Sequence, residues 1–102
     1  MSNYSRGYAL ENKVVNGLRK KGWVAWRSAS SKSPVDVVAV DGEGQVHFFQ
    51  LKKTRSGYFD KRELARFQRW ETGVCIFKHF WVWKVRDGWA FQWDELDFKV
   101  EL

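Results

Sequence analysis

The segment order predicts an α/β fold of mixed α+β type. A central, mixed five-stranded sheet is flanked by helices, in the order α-β-β-β-α-β-β. Three observations carry this reading. Two segments end in glycine where helices stop, five runs are rich in β-branched or aromatic residues, and two Asp-Gly sites mark hairpin turns. Gly7–Lys21 reads as a helix with Ser5 as N-cap and Gly22 as its stop. Trp23–Ser28 reads as a short strand, and residues 28–34 form a small polar loop. Val35–Val40 and Gln45–Lys52 read as two strands joined through Asp41-Gly42-Glu43-Gly44. Lys53–Phe59 is a basic loop containing glycine, and Asp60 caps a second helix over Lys61–Thr72 that stops at Gly73. Val74–Arg86 is β-prone and reads as one bent strand or two. Asp87-Gly88 then makes a two-residue hairpin back through Trp89–Trp93.

The 102 residues suit one domain, 1–102, with an acidic tail at about 94–102. Aromatic residues make up 18% of the chain, and seven of them are Trp, which argues against disorder. A single Cys, Cys75, excludes an intramolecular disulfide and a CxxC zinc site, so a reduced, cytoplasm-like compartment is expected. No apolar run reaches the ~20 residues that span a bilayer, so no membrane partner is expected. Residues 1–13 are polar, unlike a signal peptide. Lys and Arg exceed Asp and Glu, 18 to 12. Asp94, Glu95, Asp97 and Glu101 crowd the tail, so the first 93 residues carry an excess of nine positive charges. That balance suits a polyanion, nucleic acid first, although solubility alone also explains it.

Helical spacing places Leu10, Val14, Leu18 and Val15 on one arc of about 140°, with Glu11 inside it. A carboxylate on an apolar face needs a partner or a metal, unless it only complements the helix dipole in a first turn. Alternation puts Asp36 on one face with Val38 and Val40, and Gln50 on one face with Lys52. A tight antiparallel hairpin brings the start of one strand to the end of the other, so Asp36 should meet Gln50 and Lys52. Two oxygen ligands and a carboxylate can hold Mg²⁺ with several waters, and a nearby Lys can offset phosphate charge. The plainer alternative is a polar sheet end facing solvent.

Pro34-Val35-Asp36, with Gln50-Leu51-Lys52 fourteen positions on, resembles the PD-(D/E)xK nuclease signature. Gly7, Glu11, Leu18, Gly22-Trp23, Arg27-Ser28-Ala29, Ser31-Lys32, Lys61-Arg62-Glu63-Leu64, Gly73 and Asp87-Gly88-Trp89 extend the likeness along nearly the whole chain. Together they resemble the archaeal-type Holliday junction resolvases (the Hjc family), which also occur in viruses. The resemblance implies a restriction-endonuclease-like core and a homodimer that nicks one strand per subunit of a four-way junction. It implies catalytic roles for Glu11, Asp36, Gln50 and Lys52, and metal ligation by Glu11, Asp36, Gln50 and the Leu51 carbonyl. Mg²⁺ is the implied cofactor, with Mn²⁺ able to substitute and no small-molecule cofactor, and the implied setting is the cytoplasm of a prokaryote or a virus-infected cell. Gln50 departs from the family, which has an acid there. Its amide oxygen brings no charge, so metal affinity should fall.

Residues expected to meet DNA are Arg6, Arg27, Ser30, Ser31, Lys32, Lys53, Arg55 and the helical trio Arg62, Arg66 and Arg69. The trio falls within about 60° on its helix, as tracking phosphates or a solvated face would both require. No base-reading motif is present, so branch shape is the expected signal. Alternation groups Trp81, Trp83, Val85 and Ala90 on one face of the last hairpin, and Phe80, Val82, Trp89, Phe91 and Trp93 on the other. Such a two-sided apolar sheet needs cover from its own helices or from a partner subunit. His47 and His79 read as surface or strand residues, and Cys75 as a buried strand residue. Two other functions compete with the resolvase: a flap or fork nuclease of the same superfamily, and a non-catalytic junction-binding protein.

Overall fold

The computed structural model describes residues 3–28, 33–73 and 75–102, without the side chains of residues 3–7 and 97. Its elements are α1 (Asn3–Lys20), β1 (Val24–Arg27), β2 (Val37–Val40), β3 (Val46–Thr54), α2 (Lys61–Arg69), β4 (Ile76–Lys84) and β5 (Gly88–Asp94), then a 3₁₀ turn at Glu95–Asp97. The strands lie side by side in chain order. All pairings are antiparallel except β3 with β4, which run parallel and need α2 as their crossover. This is the mixed five-stranded sheet expected from the sequence.

α1 lies on one face. Leu10, Val14, Val15 and Leu18 are buried as the helical spacing requires. Val14, Val15 and Leu18 pack with Ala25, Val37, Ala39, Phe49 and Trp81 in the main core. The helix starts at Asn3, so Ser5 sits inside it rather than capping it. Gly7 does not delay the start, because one glycine costs a helix only about 1 kcal/mol. Gly22, at φ +89°, ends the helix and turns the chain into β1.

α2 covers β4 on the other face, where Phe67 meets Phe80 and Val82, with Phe59, Leu64, Phe91 and Trp93 around them. It ends at Arg69, earlier than Thr72, because a buried cation collects its last carbonyls. Lys78 Nζ donates to Phe67 O at 2.9 Å, to Gln68 O at 2.8 Å and to Trp70 O. Lys78 also lies 3.7 Å from Glu95. The acidic tail therefore packs, and Val100 joins the main core.

Three further expectations are corrected. Trp89 faces α1 beside Trp81 and Trp83, not Phe91 and Trp93, because a register shift opposite Val82/Trp83 leaves Ala90 unpaired and flips the alternation. The loop before Gly88 spans residues 85–87, with Arg86 at φ 75°, so the hairpin is not a two-residue one. Cys75 is exposed, in a turn at φ 68° before β4. Of the two readings of His47 and His79, surface or strand, the strand one holds, and both are fully buried in β3 and β4. Asp41 Oδ2, His47 and His79 form a chain with contacts of 2.9 and 2.8 Å, and Asp94 Oδ1 closes it at 2.7 Å while also accepting from Trp81 Nε1 at 2.8 Å. Polar rings survive in the core because each nitrogen has a partner.

Part of the α2 face stays open. Val24 and Trp26 of β1 pair with Val40 and Val38 of β2, which pair in turn with Val46 and Phe48 of β3. Trp70 stacks on Phe48, but Val24 and Trp26 remain 64% and 45% exposed.

Candidate active site

The site forms where β2 stops short of β3. β2 pairs with β3 only as far as Val37↔Phe49, and the Asp36 N–H adds one more bond to Phe49 O at 2.8 Å. Among the described residues, no strand lies beside the β3 edge beyond that point. The Leu51 N–H points into the gap, and Asp36 Oδ2 accepts it at 2.7 Å. The Leu51 carbonyl leaves the strand on the same side as its N–H, towards the same gap. Burial pushes the Asp36 carboxyl up to about 6, with a smaller upward push from Glu11. The Leu51 hydrogen bond and Lys52 pull the other way.

Glu11 reaches the site from α1. It is half-buried, and Arg27 Nε of β1 donates to its Oε2 at 2.8 Å. The Arg27 guanidinium in turn lies over the Tyr8 ring, 3.3 Å from its centroid. The apolar-face carboxylate is thus neutralised by a cation expected to contact DNA, on an aromatic platform that sequence reasoning did not single out. Gln50 and Lys52 share the α2 face of β3. Lys52 Nζ sits 2.6 Å from Glu63 Oε2 of α2. Gln50 and Glu63 line one cleft of ≈ 490 Å³ with Pro34, Arg66, Phe67 and Trp70. Glu63 is a site carboxylate that sequence reasoning left as part of a motif. Its only signal was its place in the first turn of a capped helix.

A family model described as "Archaeal holliday junction resolvase (hjc)" matches residues 2–90. The chain belongs to that family. It is therefore a nuclease of the Holliday junction resolvase type, from a family that acts on branched DNA and generally requires a divalent metal. The solved structure of Archaeoglobus fulgidus Hjc, described as a Holliday junction resolvase from an archaeal hyperthermophile, is 24% identical. The match covers 79% of this chain and 70% of that one at a TM-score of 0.57, and it supports the shared fold. A comparison with curated protein sequences gave no significant match.

Within the family frame, the described residues contain no group of three acid, thiol or imidazole side chains gathered for a metal. Asp36, with Glu11 near enough to raise its carboxyl and the Leu51 carbonyl facing the same gap, could hold a hard divalent cation that keeps several waters. The raised Asp36 carboxyl supports the fit, because a buried, undercompensated carboxylate gains most from a cation.

Among the expected DNA contacts, Arg62 is turned back onto its own helix cap, 3.2 Å from Asp60, whereas Arg66 and Arg69 are exposed. Lys53 and Arg55 line a concavity of ≈ 610 Å³ with Val85 and Arg86, a cation not anticipated from sequence. Ser30, Ser31 and Lys32 lie outside the described residues, as does the Arg6 side chain. No described helix is long and apolar enough to cross a membrane.

Proposed function

We propose that the chain is a single nuclease unit that binds four-way DNA junctions as a homodimer and resolves them by paired, symmetric nicks in a metal-dependent reaction. The observation that carries this reading is the Asp36 carboxylate, held on the Leu51 N–H at the open β3 edge beside Glu11 and Lys52. Asp36, Glu11, the Gln50 amide oxygen and the Leu51 carbonyl would hold Mg²⁺, or Mn²⁺ in its place. When bound, the ion supplies Lewis-acid polarisation of the scissile phosphate and a more acidic water. Lys52 offsets the charge that builds on the phosphate as water adds. Arg27 orients Glu11 through their 2.8 Å contact. Asp36 must be ionised to act, which its carboxyl, at about 6, allows near neutral pH.

The cations around the Lys53–Arg55–Arg86 concavity and on α2 support binding to the DNA backbone, without a base-reading element. The open apolar patch at Val24, Trp26, Val38 and Val40 supports a homodimer, since a second copy could cover what α2 leaves bare. Gln50 favours one rival, a junction-binding protein without catalysis, because it removes a charge from the metal site.

The deciding experiment incubates a labelled immobile four-way junction and a linear duplex with the protein in Mg²⁺, Mn²⁺ or EDTA, beside Asp36→Asn. Symmetric nicks in the junction, dependent on metal and on Asp36, are expected. Cutting of flaps or forks in preference to the junction assigns the chain to a different branched substrate. Tight junction binding with no cut in either metal refutes the enzyme reading.

A further inference from the structure

Position 50 leaves Lys52 without a carboxylate on its own strand. Gln50 precedes it on the same face of β3 and brings no charge. Lys52 Nζ instead meets Glu63 Oε2 of α2 at 2.6 Å, with the two side chains 32% and 35% exposed. Glu63 is the third residue of α2, after the N-cap Asp60. An acid at that position commonly folds back to the cap N–H. Here Asp60 caps through Arg62 N at 2.8 Å, and Glu63 reaches out to the sheet. Gln50 and Glu63 line the same cleft, and Gln50 precedes Lys52 on one face of β3, so positions 50 and 63 both lie near the Lys52 side chain.

We propose that Glu63 is a positioning residue that supplies, from α2, a counter-charge that the neutral Gln50 does not provide, and so holds Lys52 in the site. This rests on the nuclease reading. A lysine side chain has four rotatable bonds, and a fixed partner selects the few conformers that keep its ammonium beside the scissile phosphate.

The test compares wild type, Glu63→Gln, Gln50→Glu and the double variant on a four-way junction in single-turnover cleavage with saturating Mn²⁺. Glu63→Gln keeps helix propensity, and an unchanged Tm excludes a folding effect. Its cleavage rate is expected to fall about tenfold to a hundredfold, the scale of a misplaced catalytic group. Junction binding in Ca²⁺ should be unchanged. Adding Gln50→Glu to Glu63→Gln should recover most of the rate, because the new acid sits beside Lys52 on β3. Reductive ¹³C-methylation keeps the lysine charge and provides a readout apart from activity. The Lys52 resonance, assigned by its absence in Lys52→Arg, should move in Glu63→Gln and move back in the double variant.

Cleavage that is unchanged or faster in Glu63→Gln, a loss that Gln50→Glu does not rescue, or an unmoved Lys52 resonance overturns the assignment. Failure of the wild type to cut in either metal refutes the nuclease reading, and with it the catalytic purpose of the pair. Wild-type cutting that ignores Glu63→Gln refutes the role of Glu63 alone.

Discussion

Replacing Asp36 by Asn should stabilise the metal-free fold while removing catalysis. The carboxyl moves from 3.8 to about 6 on folding, chiefly through burial. At about 1.4 kcal/mol per unit, holding it ionised costs the fold roughly 3 kcal/mol. The sign follows from proton linkage. The folded state holds the proton more tightly, so this contribution is fully present below about pH 3.8. It is lost as pH rises through about 6 and stays lost above. Asn keeps an oxygen to accept the 2.7 Å bond from Leu51 N and carries no charge to desolvate. Allowing for relaxation around the amide, Asp36→Asn should gain roughly 1–3 kcal/mol at pH 8 and little at pH 4. Each kcal/mol is about 4–8 °C in Tm for a domain near this size. Thermal and urea unfolding of both proteins in EDTA from pH 4 to 8 provide the assay, and added Mn²⁺ should narrow the gap by stabilising only the wild-type fold. A gap equal at pH 4 and pH 8, or an Asn variant less stable at pH 8, would refute the reasoning.

Three other outcomes are expected. Asp94→Ala leaves His79 Nδ1 and Trp81 Nε1 without their shared acceptor. At about 1–3 kcal/mol per buried unmet group, urea unfolding should show a much lower midpoint at an unchanged slope. Arg66→Gln should weaken junction binding and flatten the plot of log affinity against log salt by about one unit, if the exposed Arg66 meets a phosphate. Trp26→Glu, on the open patch, should turn a dimer into a monomer in sedimentation without lowering Tm, whereas a Tm loss with the dimer intact would assign Trp26 to the fold.

Local signals carried the reading as far as they reach. The Asp41–Gly44 turn and the two-residue alternation were enough to bring Asp36 against the end of β3, because a tight hairpin sets its own register. Helix phase likewise placed Glu11 on the sheet-facing side of α1, where it is half-buried beside the buried Leu10, Val14 and Val15. What escaped depends on elements distant in sequence. Lys52 meets Glu63 only once α2 has crossed over to bring β4 alongside β3. The His47–His79 contact needs the parallel register of those two strands, and nothing near either histidine announces it. The misplacement of Trp89 had another origin. The bulge at Ala90 carries no glycine or proline, so alternation was counted straight through it. Its charge alone left the acidic tail free to pack or to fray. It packs: Asp94 and Glu95 are partners of His79 and Lys78, although both lie past the stretch matched by the family, 2–90.

Lys78 ties the far end of α2 to the sheet through three backbone carbonyls, and its buried charge makes that tie costly to break. The near end is held differently, by the half-exposed Lys52–Glu63 pair and a solvent-facing cap at Asp60. The end of α2 that carries Arg66 and Arg69 is thus the firmly tied one, and the end that carries Glu63 is the weaker. Local opening of the helix should therefore begin at Lys61–Glu63, with amide exchange fastest there and slowest beside Lys78.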